Sequence, residues 1–162
     1  MLSNSLFQSL PFAAASAITL CLSLALIVIS MIDLRTFRIP DVMSLPLIVA
    51  GLALALIVPN VYPVDHLIGA IAAFALFAGI GEVYFRARNV DGLGLGDAKL
   101  FAAAGAWLGW QNLPMVLLIA ALGGLAQALL TRTTRCDQPL AFGPWIASGF
   151  WAIWLLTCFK PN

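Results

Sequence analysis

The chain has 162 residues, of which 62% are hydrophobic and 9% are charged, and its net charge is +1. Soluble globular proteins carry about 25% charged residues. This composition therefore excludes a soluble enzyme or binding protein, and it indicates an all-α, polytopic membrane protein in a lipid bilayer. No nucleic-acid partner is expected for such a chain.

The first apolar run extends from Pro11 to Ile32, and no Lys or Arg precedes it. A secretory signal would begin with basic residues, and this run is long enough to cross a bilayer. We therefore predict that it is a retained first transmembrane helix.

About six apolar segments follow one another along the chain and are separated by proline-rich or polar breaks. The second and fourth are short for a span of about 20 residues. The predicted spans cover residues 11–32, 44–58, 66–85, 98–112, 113–130 and 142–159. No linker divides them, so we predict one membrane-embedded domain over residues 1–162.

The basic residues predict the orientation of these spans. Every Lys and Arg except Lys160 lies in or next to the first, third or fifth loop. Basic loops stay in the cytoplasm, so residues 33–41, 86–99 and 131–139 are predicted to be cytoplasmic. An even number of spans then places both termini on the outer side.

Most of the seven acidic residues have an ordinary structural interpretation. Asp41 could cap the second helix, and Asp97 could cap the fourth. Glu82 lies four residues before Arg86, which is the spacing of a helical ion pair. The three cysteines form no CxxC and no metal-ligand spacing, so neither a metal nor a cofactor is predicted.

Asp33 and Asp97, considered together, suggest a functional site that neither residue indicates alone. Both lie at the predicted cytoplasmic ends of spans, so the two carboxyl groups are at a depth where they could meet. Two carboxylates in contact tend to share one proton. One could then activate a water while the other donates to a carbonyl. Gly94 and Gly96, which lack a Cβ, could admit a peptide backbone. A cation site also uses paired carboxylates, so this pattern leaves both functions open.

Three stretches of the sequence resemble motifs of the type IV prepilin peptidases, a family of GxGD intramembrane aspartyl proteases. "GLGDAKL" at 94–100 is similar to the family's G-x-G-D-x-K-L motif. "DLRTFRIPD" at 33–41 is similar to its first-aspartate motif, and "AFGPWIASG" at 141–149 to the segment before its last helix. All three occur in the family's order.

The resemblance implies that Asp33 and Asp97 are the catalytic pair, with Gly94, Gly96 and Lys99 in support. Asp41 and Glu82 are further candidates. It also implies that the substrate is a prepilin or pilin-like precursor, cut on the cytoplasmic side of the bacterial inner membrane. The residue before the cut is typically glycine.

The chain departs from the longer members of this family. Those members carry a cytoplasmic domain with paired CxxC motifs, which is lacking here. The chain resembles the short, peptidase-only form that accompanies tight-adherence (Flp) pili. A second departure is Ala141, where the family often has proline. We interpret Phe142 and Gly143 as a helix start, with Pro144 at the first helical position.

Three alternatives remain at this stage. One is another GxGD protease of the presenilin or signal-peptide-peptidase type. The second is a small ion or proton-coupled transporter that uses Asp33, Glu82 and Asp97. The third is a pilus-assembly scaffold without catalysis.

Overall fold

The computed structural model describes residues 11–59, 61–88, 94–131 and 141–158. Within these ranges the chain forms six α-helices and one short 3-10 helix, and no β-strand. The α-helices are α1 (Phe12–Thr36), α2 (Asp41–Ile57), α3 (Pro63–Arg88), α4 (Leu95–Leu108), α5 (Leu113–Thr131) and α6 (Gly143–Cys158). The predicted all-α membrane fold with six helices is confirmed.

Three segments are long and apolar enough to cross a bilayer unaided: Ala13–Thr36, Pro63–Arg86 and Trp110–Leu130. The second and fourth helices are short, as predicted, with 17 residues in α2 and 14 in α4. The predicted bounds of the fourth span were wrong. The helix begins at Leu95 and ends at Leu108, because Gly109 takes a positive φ of 75° and a 3-10 helix follows.

Helix α4 lies at the centre of the bundle and packs against α2, α3 and α6. Apart from Lys99, every residue from Ala98 to Leu108 is buried. Small residues allow this, since a Cβ at Gly105 would overlap the backbone of Gly69 on α3. In lipid, close backbone approach of this kind is a main source of helix association. The helix that carries Asp97 is therefore held on several sides.

The connection between α1 and α2 lies on the first turn of α4. Helix α1 ends at Phe37, which has a left-handed φ of 52° and donates its backbone N–H to the carbonyl of Asp33. This conformation is uncommon for a residue other than glycine. Two residues later, the buried Ile39 packs against Gly96, where an added Cβ would lie 2.9 Å from the Ile39 Cβ. The connection thereby brings the end of α1 next to the start of α4.

Candidate active site

A cleft of about 320 Å³ opens where the end of α1, the α1–α2 connection and the first turn of α4 meet. It is lined by Asp33, Phe37, Arg38, Ile39, Gly94, Leu95, Gly96 and Asp97. The two aspartates are close enough for the charge of Asp33 to act on Asp97. The structure therefore brings the two carboxylates into one cleft, although 64 positions separate them in the chain.

Asp33 is only 4% exposed. Its carboxylate is held by the N-terminus of α6, because Oδ2 accepts a hydrogen bond of 3.0 Å from the backbone N–H of Gly143. The first N–H groups of a helix have no partner within the helix, and the helix dipole favours negative charge there. A buried carboxylate is thus matched to the part of α6 that binds anions best.

Gly143 leaves no space for a side chain. A Cβ at this position would lie 2.7 Å from Oδ2 of Asp33, 3.0 Å from its Cγ and 3.0 Å from Cδ1 of Ile39. The hydrogen bond to Asp33 therefore requires a glycine. The sequence predicted only a helix start for this segment, and the contact with Asp33 was not predicted. The available signal was a glycine directly before a proline at a predicted helix start.

The position predicted for Pro144 was wrong by one residue. Helix α6 begins at Gly143, which makes Pro144 the second helical residue. The backbone carbonyl of Phe142 already accepts bonds from Trp145 and Ile146, at 3.1 and 3.2 Å. The segment is a helix start, as predicted, and its first N–H also donates to Asp33.

Asp97 lies within the first turn of α4, where it does not cap the helix. Gly94 is the N-cap residue, and its carbonyl accepts the backbone N–H of Asp97 at 3.0 Å. The capping interpretation of Asp97 was wrong because the helix begins two residues before it. Its carboxylate, close to that of Asp33, lines the cleft.

The glycines before Asp97 differ in their surroundings. Gly96 is pressed against the chain's own Ile39, where an added Cβ would also lie 3.3 Å from the Ile39 backbone N and O. At Gly94 an added Cβ would meet only ordinary contacts, 3.7 Å from Asp97 Oδ2 and 3.9 Å from Gly96 N. The surroundings of Gly94 would therefore tolerate a Cβ next to Asp97, whereas Gly96 is packed against the α1–α2 connection. Gly92 lies outside the described residues.

Gly96→Val is expected to impair peptide cleavage far more than membrane insertion. The branched side chain would displace Ile39, and with it the connection that positions Asp33. Turnover of a precursor should be compared with the amount of inserted, monodisperse protein. Gly79→Val is the matched control, because a Cβ at Gly79 meets nothing within 4 Å. Equal turnover by the two variants would contradict this role of Gly96.

The other predicted candidates do not line the cleft. Lys99 donates a hydrogen bond of 2.6 Å to Asp41 Oδ1. Asp41 is the first residue of α2, and Pro40 is the N-cap, so the predicted capping role of Asp41 was wrong. Glu82 forms the expected ion pair with Arg86, at 2.7 Å. The cleft therefore contains Asp33, Asp97, Gly94 and Gly96, and leaves out Asp41, Lys99 and Glu82.

Comparison with known proteins identifies the family. The model of the type IV leader peptidase family matches residues 20–129. The chain belongs to the type IV leader peptidase family. The matched range contains both Asp33 and Asp97, whereas Gly143 lies beyond it. The resemblance expected from the three motifs is confirmed.

Three relatives illustrate the similarity, and each is named a prepilin leader peptidase/N-methyltransferase. The protein from Burkholderia pseudomallei (strain 1026b) is 42% identical over 140 residues, which are 85% of this chain and 45% of the relative. That from Escherichia coli (strain K12) is 42% identical over 123 residues, 75% of this chain and 55% of the relative. That from Dickeya chrysanthemi is 43% identical over 127 residues, which are 75% of this chain and 44% of the relative.

The chain spans about half the length of these relatives. No solved structure matches it.

Proposed function

We propose that this protein is an aspartyl endopeptidase that removes the leader of prepilins or pilin-like precursors, and that Asp33 and Asp97 are its catalytic pair. The observation that supports this most directly is the shared cleft, which brings together the two aspartates of the family motifs. The relatives named prepilin leader peptidases support the same activity.

The hydrogen bond from Gly143 suggests which aspartate acts as base and which as acid. Asp33 accepts a backbone N–H at a helix N-terminus, an arrangement that suits a carboxylate carrying the negative charge. We assign Asp33 as the general base and Asp97 as the member that holds the shared proton. Water gives a proton to Asp33 as its oxygen bonds to the scissile carbonyl carbon, and Asp97 protonates the carbonyl oxygen.

Breakdown of the resulting tetrahedral diol reverses these roles. The carbon–nitrogen bond breaks, Asp33 gives its proton to the leaving amine, and one hydroxyl of the diol returns a proton to Asp97. The pair ends in its initial state, with the peptide cut and one water consumed. No covalent enzyme intermediate forms in this cycle.

The position of the cleft suggests how a precursor binds. The cleft lies at the end of α1 and the beginning of α4, so the apolar helix of a precursor would lie in the bilayer with its leader in the cytoplasm. A helical backbone hides its carbonyls in hydrogen bonds, and the scissile segment must therefore be extended. Gly94, where an added Cβ would meet only ordinary contacts, is the place where such a backbone could come closest.

The proposal is tested by incubating the purified protein in proteoliposomes with a tagged pilin precursor. We expect release of the leader and a new N-terminus at the cut. A precursor in which a bulky residue replaces the glycine before the cut is the matched control and should remain intact. A pure, inserted protein that leaves the unaltered precursor uncut would contradict the proposal.

The transporter alternative receives less support from the structure. It requires Glu82 to join Asp33 and Asp97 in a cation site. Glu82 is instead paired with Arg86 at a distance of 2.7 Å, and its side chain is 56% exposed. It does not line the cleft that holds the two aspartates.

We further propose that the described helices form one peptidase unit in the bacterial inner membrane, with the cleft on the cytoplasmic side and both termini outside. The distribution of basic residues supports this orientation.

Cysteine labelling tests the proposed orientation. In a variant without the three native cysteines, Thr36→Cys, Asn89→Cys and Thr133→Cys should each resist an impermeant thiol reagent in intact cells. Tyr62→Cys is the matched control at the opposite end of the bundle. Tyr62 is 69% exposed, so this variant should react readily. Ready labelling of Thr36→Cys would contradict the orientation, and with it a cytoplasmic cleft.

A further inference from the structure

The ion pair between Asp41 and Lys99 joins two parts of the chain that carry the proposed catalytic residues. Lys99 lies two residues after Asp97 on α4. Asp41 is the first residue of α2, at the end of the connection that begins beyond Asp33. The Lys99 Nζ lies 2.6 Å from Asp41 Oδ1, and only 22% of the lysine side chain is exposed. Residues two apart on a helix do not face each other, so this lysine points away from Asp97.

A second contact joins the same two segments on the other side of Asp97. Ile39 is buried against Gly96, with no room for a Cβ between them. The contact of Ile39 with Gly96 and that of Asp41 with Lys99 therefore lie on either side of Asp97 in the sequence. Asp33 itself accepts a hydrogen bond from the N–H of Gly143 on α6. The separation of the two carboxylates depends on how the connection sits on α4.

We propose that Asp41 and Lys99 are positioning residues, and that their ion pair sets the distance between Asp33 and Asp97 by fixing the α1–α2 connection on the first turn of α4. This rests on the proposed function, in which those two carboxylates act together. Neither residue lines the cleft, so the pair acts through geometry and not by contact with substrate.

The ion pair contributes little to overall stability. Asp41 has 56% of its side chain exposed, and ion pairs at such exposure are weak because water screens them. The fold is held instead by the buried contacts of α4, including the hydrogen bond from Trp107 Nε1 to the Leu47 carbonyl on α2. Loss of the pair should therefore change the position of the connection without unfolding the bundle.

Kinetics of precursor cleavage test this role. Asp41→Ala and Lys99→Met should each lower kcat about tenfold, because small displacements of catalytic groups are costly, while KM and the melting temperature stay near those of the parent. Asp41→Asn keeps an oxygen that can accept from Lys99 and should retain most of kcat. The Asp41→Ala, Lys99→Met double variant should be no slower than either single variant, since both remove the same contact.

Glu82→Ala is the matched control for these variants. It also breaks one ion pair, and Glu82 has the same 56% exposure as Asp41, but the pair lies away from the cleft. Its kcat should equal that of the parent. Equal losses in Glu82→Ala and Asp41→Ala would overturn the proposal, because any lost surface charge would then have the same effect.

A distance measurement keeps the proposal testable without activity. Spin labels attached through Leu34→Cys and Leu95→Cys, in a variant without native cysteines, report the separation of the segments that carry Asp33 and Asp97. Both leucines are exposed. Asp41→Ala should broaden or shift the distance distribution, and Glu82→Ala should leave it unchanged.

The outcomes separate this proposal from the proposed function. If Asp97→Asn is inactive while Asp41→Ala has the parent's kcat, the positioning role is overturned and the peptidase assignment stands. If Asp97→Asn cleaves like the parent, the peptidase mechanism fails, and the distance distribution decides the positioning role by itself. An unchanged distribution in Asp41→Ala overturns it.

Discussion

Asp33→Asn and Asp97→Asn should each lower the rate of leader removal by at least about a thousandfold, which corresponds to ~4 kcal/mol of activation free energy. Asparagine preserves the shape of the side chain, and it leaves Gly143 an oxygen to bond. It cannot exchange a proton with water or with the scissile peptide, and the mechanism requires that exchange from both members of the pair. Precursor turnover in proteoliposomes measures the effect, with expression and monodispersity checked for each variant.

Two controls accompany these substitutions. Asp41→Asn and Asp91→Asn should retain much of the activity, because Asp41 lies outside the cleft and Asp91 belongs to no motif that we assign to catalysis. The Asp33→Asn, Asp97→Asn double variant should be little slower than either single variant, because residues that act as one unit are not additive. An active Asp33→Asn beside an inactive Asp41→Asn would show that the wrong first aspartate was chosen.

Gly143→Ala should lower precursor turnover by about a hundredfold or more, since displacement of a catalytic group by about 1 Å has effects of this size. The added methyl group would lie 2.7 Å from Asp33 Oδ2, so either the carboxylate or the start of α6 must move. Alanine is intrinsically the better helix residue, and a loss of activity could therefore not be attributed to helix propensity. Turnover and the amount of inserted protein are measured together.

Gly79→Ala is the control for this variant. It makes the same chemical change on α3, where the new Cβ meets nothing within 4 Å, and it should retain the parent's activity. If Gly143→Ala cleaved the precursor as fast as Gly79→Ala, the backbone of Gly143 would have no part in holding Asp33.

Much of the fold follows from the sequence because membrane helices are encoded locally. A run of apolar residues of sufficient length must form a helix in lipid, where each backbone polar group needs a partner. The starts of α1 and α5 could be placed in this way. The end of α4 could not be placed in this way, because it depends on the positive φ of Gly109. This span was therefore predicted to extend to residue 112.

The candidate pair was also accessible from sequence, through the motifs around Asp33 and Asp97. The distribution of basic residues among the loops predicted that both residues lie on the same side of the membrane. The helical spacing of Glu82 and Arg86 likewise predicted their ion pair, which is confirmed at 2.7 Å. In each case the relevant information lies within a few turns of one helix.

The partners of these residues depended on the tertiary structure. The bond from Gly143 to Asp33 joins residues 110 positions apart, and that from Lys99 to Asp41 joins residues 58 apart. The residues around Gly143 and Lys99 in the sequence do not specify that these two donors bond to Asp33 and Asp41. The packing of α1 against α6 brings Gly143 to Asp33, and the packing of α2 against α4 brings Asp41 to Lys99. The contact of Ile39 with Gly96 likewise depends on tertiary packing. The sequence by itself determined the helices and the two aspartates. Only the packed bundle decided what holds each carboxylate. The small residues that let helices approach one another do not specify, within one helix, which neighbour will pack there.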